Sequence, residues 1–333
     1  MLARVAEALY LTARNLERAE TIARLLESTH STGLEAALGD NDIRYWGPLL
    51  ETAGDPEVFE RGHGAPDQSS VGWFLTFSPD NPDSIEGCIR RAREQAHSVR
   101  DRLPVAVWEG LNETYLELES WSPGRLNREG IYPFSRALRR SAAMMHGQIA
   151  TGMRRDDAWY FMRLGRFLER AWASARWLRV SVTSMADDQV DEVDAALATQ
   201  LWGGVLEAAG ATEAYATRHT GVPSPETVLR FLLFDERFPR SLTFCFGEVE
   251  MCLVGLIDDL AMGRRGRALE LVQEGAAELA RADGRNLSDP GEFLADLEQT
   301  AWDVGRAIHT DCFAATHLAR DVPDVQIQSQ SQN

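Results

Sequence analysis

The sequence predicts an all-α protein, a tandem duplication of a helical unit of about 155 residues whose two copies pack with pseudo-two-fold symmetry. Three observations lead there. Apolar residues recur at helical spacing over long stretches that Gly and Pro separate. No stretch alternates convincingly at period two, as a half-buried strand would. Three blocks of the first half also recur in the second half in the same order.

The periodicity predicts helices near 2–28, 41–53, 69–77, 82–101, 104–119, 127–151, 156–181, 188–218, 224–235, 240–264, 265–283 and 290–319, with loops at 55–68 and 120–126. In the first helix Leu9, Leu16, Ala23 and Leu26 form an apolar stripe, bordered by Ala13. The helix from 82 is expected to start at a capping Asn81 followed by Pro82 at the first helical position. Asp156 or Asp157 caps the helix near 156, which repeats the stripe as Phe161, Leu168, Ala175 and Leu178, with Gly165 on its border. Ser224-Pro225-Glu226 and Asp289-Pro290 open the helices at 224 and 290. Cys245 and Cys252, seven residues apart, fall on one helix face and, like Cys88, read as small buried apolar residues. The polar, low-complexity segment 319–333 is expected to be a disordered tail, leaving one domain over 1–318 made of repeats at about 1–151 and 152–318.

The repeats are specific. "ARNLERAETIARLL" (13–26) matches "GRFLERAWASARWL" (165–178) at eight of fourteen positions, at an offset of 152. "YWGPLLETAG" (45–54) returns as "LWGGVLEAAG" (201–210), and "FLTFSPDNPDSIEGC" (74–88) as "FLLFDERFPRSLTFC" (231–245). The offsets drift by only five residues, which loops absorb. Small residues at 13/165, 19/171 and 23/175 allow another helix to approach closely.

The first block keeps its charges as well as its apolar letters: Arg14/Arg166, Glu17/Glu169, Arg18/Arg170 and Arg24/Arg176. A solvated face has no reason to keep identical charges, as Glu20, which is Trp172 in the second copy, illustrates. The kept set is therefore expected to be buried, and burial demands pairing or a ligand. Two readings follow from the residue types. One is a Glu–Arg network that locks helices together. The other is a polar cavity in which Arg14, Arg18, Arg24, Arg166, Arg170 and Arg176 clamp a carboxylate or phosphate, while Glu17 or Glu169 binds an amine or moves a proton. Asn81, Ser84 and Arg93 are further ligand-binding candidates, because a helix start at 82–85 offers free N–H groups and a hydroxyl to an anion.

Composition narrows the function classes. Acidic residues outnumber basic ones by 51 to 34, and every basic residue is Arg. With no lysine, Schiff-base chemistry and a self-contained P-loop are excluded. A net charge of −17 argues against nucleic acid as a partner. The same composition fits a GC-rich genome and suits a salty cytoplasm. No apolar run reaches the roughly 20 residues that span a bilayer, and Glu7 and Arg14 interrupt any signal-like start, so a cytoplasmic location without membrane contact is expected. The four cysteines form no CxxC pair, and His309, Cys312 and His317 cluster without a matching carboxylate pattern; neither a metal nor a cofactor is expected.

Together "LYLTARNLERAETIARLLE", "NPDSIEGCIRRAREQAHSVRDRLPVAVWEGLN" and "MRRDDAWYFMRLGRFLERA" resemble the bacterial and archaeal alpha-E family over roughly residues 1–318. This chain has Leu11 and Ala13 where the usual family form has Trp and Gly, departures that touch packing rather than the charged set. The resemblance implies an all-helical protein with recurrent Glu and Arg positions. It also implies an encoded neighbour, a circularly permuted ATP-grasp amide ligase, often with a transglutaminase-like protease, and a role in making or modifying a peptide or amide-linked product. Nothing in this chain looks like the ATP-grasp part, so such a ligase would be a separate partner.

Overall fold

In the computed structural model, which describes residues 1–35, 43–186, 192–259, 266–283 and 287–314, every regular element is helical. The first half contains α1 (Ala3–Glu35), α2 (Ile43–Ala53), α3 (Pro56–His63), α4 (Gln68–Thr76), α5 (Ile85–Ser98), α6 (Val105–Glu119), α7 (Pro123–Glu129) and α8 (Ile131–Gly152). The second contains α9 (Asp157–Ala186), α10 (Glu192–Ala209), α11 (Thr212–Ala216), α12 (Pro225–Phe234), α13 (Leu242–Asp259), α14 (Arg267–Ala282) and α15 (Pro290–Ile308), which runs into a π-helical turn at His309–Phe313. The expected tail at 319–333, His317, and the expected helix margins at 41–42, 188–191, 260–265 and 315–319 lie outside the described residues.

Local chemistry accounts for the helix limits. Ser224 and Asp289 cap α12 and α15 as expected, accepting from the backbone N–H of Thr227 and Glu292, each ahead of a proline at the first helical position. The start at 82 needs correction. Helix α5 begins at Ile85 and its cap is Ser84, whose Oγ accepts from the Gly87 N–H at 3.3 Å. Asn81 instead pins the preceding turn, accepting from the Asp83 N–H and donating to the Phe74 carbonyl. The expected loop at 55–68 contains α3, capped by Asp55 with Pro56 behind it, a start signal of the same kind. The expected loop at 120–126 contains the start of α7, capped by Ser122. Gly130 (φ 86°) and Gly210 (φ 61°) adopt the left-handed conformation that only glycine takes freely, and they divide the stretches read as continuous at 127–151 and 188–218.

Two long helices, α1 and α9, pack against each other at the centre. Helix α1 also packs on α5, α8 and α10, while α9 packs on α13, α15 and α2. Helix α6 joins α5 to α8, and α14 joins α13 to α15. The apolar stripes meet as expected: Leu9, Leu16, Ala19, Ala23, Phe161, Leu168, Ala171 and Ala175 are all buried. Full burial of each Leu or Phe side chain contributes about 1.5–3 kcal/mol. The small residues set the distance of approach. A Cβ on Gly165 would sit 2.2 Å from the Tyr10 carbonyl oxygen, a backbone atom that cannot swing aside. Gly165→Ala is expected to cost about 1–3 kcal/mol through forced separation of α1 and α9, read as a lower urea midpoint. An unchanged midpoint would show that the crossing is not under this steric limit.

Candidate functional site

The repeated charges come from the flanks of the two central helices, where spacings of three and four residues set side chains on one face. Each glutamate reaches across to the other helix. Glu169, fully buried on α9, accepts from Arg14 of α1 (Nε 2.8 Å, Nη2 2.7 Å) and from Arg18 (Nε 2.5 Å, Nη2 3.1 Å). Glu17, fully buried on α1, accepts from Arg170 of α9 (Nε 2.6 Å, Nη2 2.8 Å) and from Arg166 (Nε 3.2 Å). These forked, charge-assisted pairs bind the two helices in one register. Burial alone raises both carboxyls. Arg170 and Arg240 outweigh it at Glu17, and Arg18 and Arg14 at Glu169, so both stay below the usual carboxylate range. A proton-transfer group works best with a pKa near the operating pH, and both shifts lead away from it.

Around this shared pattern the two ends differ. Beside Glu17 stand Arg240, Glu20 and His146, which the sequence did not assign to the site, together with Arg24, which it did. Arg240, before α13, donates to Glu17 Oε1 at 3.1 Å and to Glu20 Oε1 at 2.8 Å. Arg24 donates to the same Glu20 oxygen at 2.8 Å. Glu20, whose loss in the second copy reads as a mark of solvent exposure, is only 3% exposed. Its burial is a correction, and the reason is the two guanidiniums that neutralise it. His146 of α8 completes the cluster, with Nε2 3.3 Å from Glu17 Oε2 and 3.2 Å from Glu20 Oε2 but aligned for a hydrogen bond to neither. These three donor atoms are near enough to share a metal ion. However, Arg24, Arg166, Arg170 and Arg240 already place four cations on two carboxylates, which makes a further cation costly. Burial and the neighbouring Arg170 push Arg240 below the usual arginine range, in keeping with that surplus.

The Glu169 end is open. A cavity of about 370 Å³ lies beside it, lined by Arg18, Thr21, Asp55, Asp80, Asn81, Asp83, Glu169, Trp172 and Arg176 among others. Here the position matching Arg240 is Asp83, which pairs with Arg18 and Arg91 at 2.8 Å, and the position matching Glu20 is Trp172. The Arg18 and Arg176 guanidiniums each lie 5.5 Å from the Trp172 ring centroid. Arg176 is held in place by the Glu51 carbonyl and by Glu298. The Thr21 hydroxyl is buried on the cavity wall without a hydrogen-bond partner, and the exposed Asp80 carboxylate has no ion pair among the described residues.

Other sequence candidates sit elsewhere. Ser84 is occupied as a helix cap, and the preceding Asp83 is held by Arg18 and Arg91. Arg93 lies apart on the α5–α6 face, donating to Asn112 Oδ1 at 2.9 Å over the Tyr115 ring. Burial pushes the Cys88 and Cys245 thiols up to about 12, so both are unreactive packing groups. The aligned third block did contain a signal for Arg240, since it stands against Asp83 with the opposite charge. Nothing in the sequence marked His146.

A family model matches residues 1–313, and it describes a predicted alpha-helical domain with a conserved ER motif. The chain belongs to the Alpha-E family. Glu17-Arg18 and Glu169-Arg170 are two Glu-Arg pairs of this Alpha-E chain, and both lie in the buried lattice. Uncharacterized proteins of Mycobacterium bovis and Mycobacterium tuberculosis are 26% identical to it over 98% of its length. The chain spans 37% of the length of these curated relatives. No solved structure matches it. Among the described residues no helix is long and apolar enough to cross a membrane.

Proposed function

We propose that this Alpha-E chain is a substrate-handling component of an ATP-grasp amide-ligase system, and that it holds the amine substrate in the cavity beside Glu169. The charge of that cavity carries the reading. Four carboxylates, Asp55, Asp80, Asp83 and Glu169, line it beside two arginines; Arg14 and Arg91 behind the wall complete the pairing of Glu169 and Asp83, which leaves the exposed Asp80 carboxylate free among the described residues to meet an ammonium group. Amide formation consumes an amine, so an amine-binding module complements a ligase that activates the acid. The family resemblance implies such a ligase as the partner of this chain. Glu17 and Glu169 act here as ionised anchors, and the Arg set as their counter-charges.

The duplication belongs to the same reading. The packing of α1 on α5 and α8 parallels that of α9 on α13 and α15, and the Glu–Arg pairs are exchanged between α1 and α9. These parallels support two copies related by a pseudo-two-fold axis. In one copy Arg240 lies across the buried glutamates; in the other Asp83 replaces it and a cavity remains.

Calorimetric titration with glycinamide tests the binding. Asp80→Asn, at an exposed position with no ion pair among the described residues, is expected to weaken the amine by about tenfold, equivalent to about 1.4 kcal/mol. The ligase is tested by its rate of amide formation with and without this chain. Full rate from the ligase alone would end the proposal.

A further inference from the structure

We infer that the amine held beside Glu169 carries an apolar side chain, and that this side chain enters a second cavity enclosed by α1, α2, α9 and α10. The inference rests on the amine reading above and specifies its substrate class. Leu25 and Thr52 line both cavities, so the two lie on either side of the same pair of side chains. The second cavity measures about 280 Å³, and its walls include Leu49, Trp177, Leu201 and Val205. No ionisable side chain lines it, whereas six charged groups line the first.

Three of its six hydroxyls are turned to the backbone. The Thr52 hydroxyl donates to the Pro48 carbonyl, that of Ser181 to the Trp177 carbonyl, and that of Ser28 to the Gly204 carbonyl. Their hydrogens are thus committed to backbone acceptors. An apolar group gains free energy in such a cavity, while a charged one would lose its hydration without replacement. A charged recess and an apolar one that share the Leu25 and Thr52 side chains as a wall fit a molecule with an ammonium head and a bulky hydrocarbon branch that displaces that wall, the chemistry of an apolar amino acid or of a peptide that begins with one.

Titration with L-phenylalaninamide, L-alaninamide and 3-phenylpropionamide distinguishes the outcomes. Phenylalaninamide is expected to bind at least about tenfold more tightly than alaninamide, as burial of an aromatic side chain implies. It should also exceed 3-phenylpropionamide, which lacks the amine. Leu201→Trp, at a half-buried wall position, should bring phenylalaninamide down to the alaninamide level and leave alaninamide unchanged; Val205→Phe serves if that variant fails to fold. Equal affinities of the two amino amides, both weakened by Asp80→Asn, would overturn the inference and leave the amine reading intact. Binding of 3-phenylpropionamide as tight as that of phenylalaninamide would overturn it as well. Failure of both amino amides to bind would remove the amine reading itself.

Discussion

Glu17→Gln is expected to lower the melting temperature of this Alpha-E chain far more than Glu169→Gln, although the two glutamates occupy matching positions. Removing one partner of a buried ion pair costs about 3–5 kcal/mol, because the charges left behind have no water to replace it. At Glu17 those charges are Arg170, 3% exposed, and Arg240, 12% exposed, with Arg166 beside them. Arg240 retains Glu20, but that single carboxylate then faces four guanidiniums. At Glu169 the stranded groups are Arg14 and Arg18, 21% and 22% exposed, and Arg18 still has Asp83. Partial exposure lets water take up part of the loss. The expected drop is roughly 7 °C for Glu17→Gln, from the upper part of that range, and less than half of it for Glu169→Gln. Equal losses in differential scanning calorimetry would contradict the asymmetry.

The second large effect is on acid stability. Glu17, Glu20 and Glu169 all have carboxyls held below their usual range in the folded protein, against burial, by surrounding guanidiniums. For a carboxyl whose folded pKa is depressed, the added stability is fully present above the unfolded value of about 4.3 and is lost as pH falls towards the folded one. Each unit of depression corresponds to about 1.4 kcal/mol at neutral pH. The melting temperature is therefore expected to be flat between pH 7 and 5 with respect to these groups, and to fall steeply below about pH 4.5. Acid also relieves the self-repulsion of a chain of net charge −17, which acts in the opposite direction. The comparison that isolates the buried carboxyls is thus the slope in Glu17→Gln, which should be shallower than in the wild type because one proton fewer is taken up on unfolding's acid side. Identical slopes would mean that Glu17 titrates alike in both states.

Much of this was legible in the sequence because it is local. Helical periodicity and the Ser224-Pro225 and Asp289-Pro290 signals act within a few residues of each other, and the helices they imply are present. Two of the boundaries that failed share one cause. Gly130 and Gly210 end helices through backbone conformation, which periodicity of side chains does not register. The burial of Glu17 and Glu169 was also legible, since charges repeated with the apolar letters around them point to a common buried setting.

What the sequence determined by itself is the all-α character and the presence of buried charged residues in two of its helices. Only the tertiary structure decided that each glutamate pairs with the arginines of the other helix, that Glu20 is buried under Arg24 and Arg240, and that His146 joins them from α8. It also decided that one end is filled by side chains while the other keeps a cavity beside Trp172. The physical reason is range. Secondary structure follows from neighbours along the chain, whereas the partner of a buried charge depends on which distant helix the packing of Gly165 against Tyr10 brings within 3 Å.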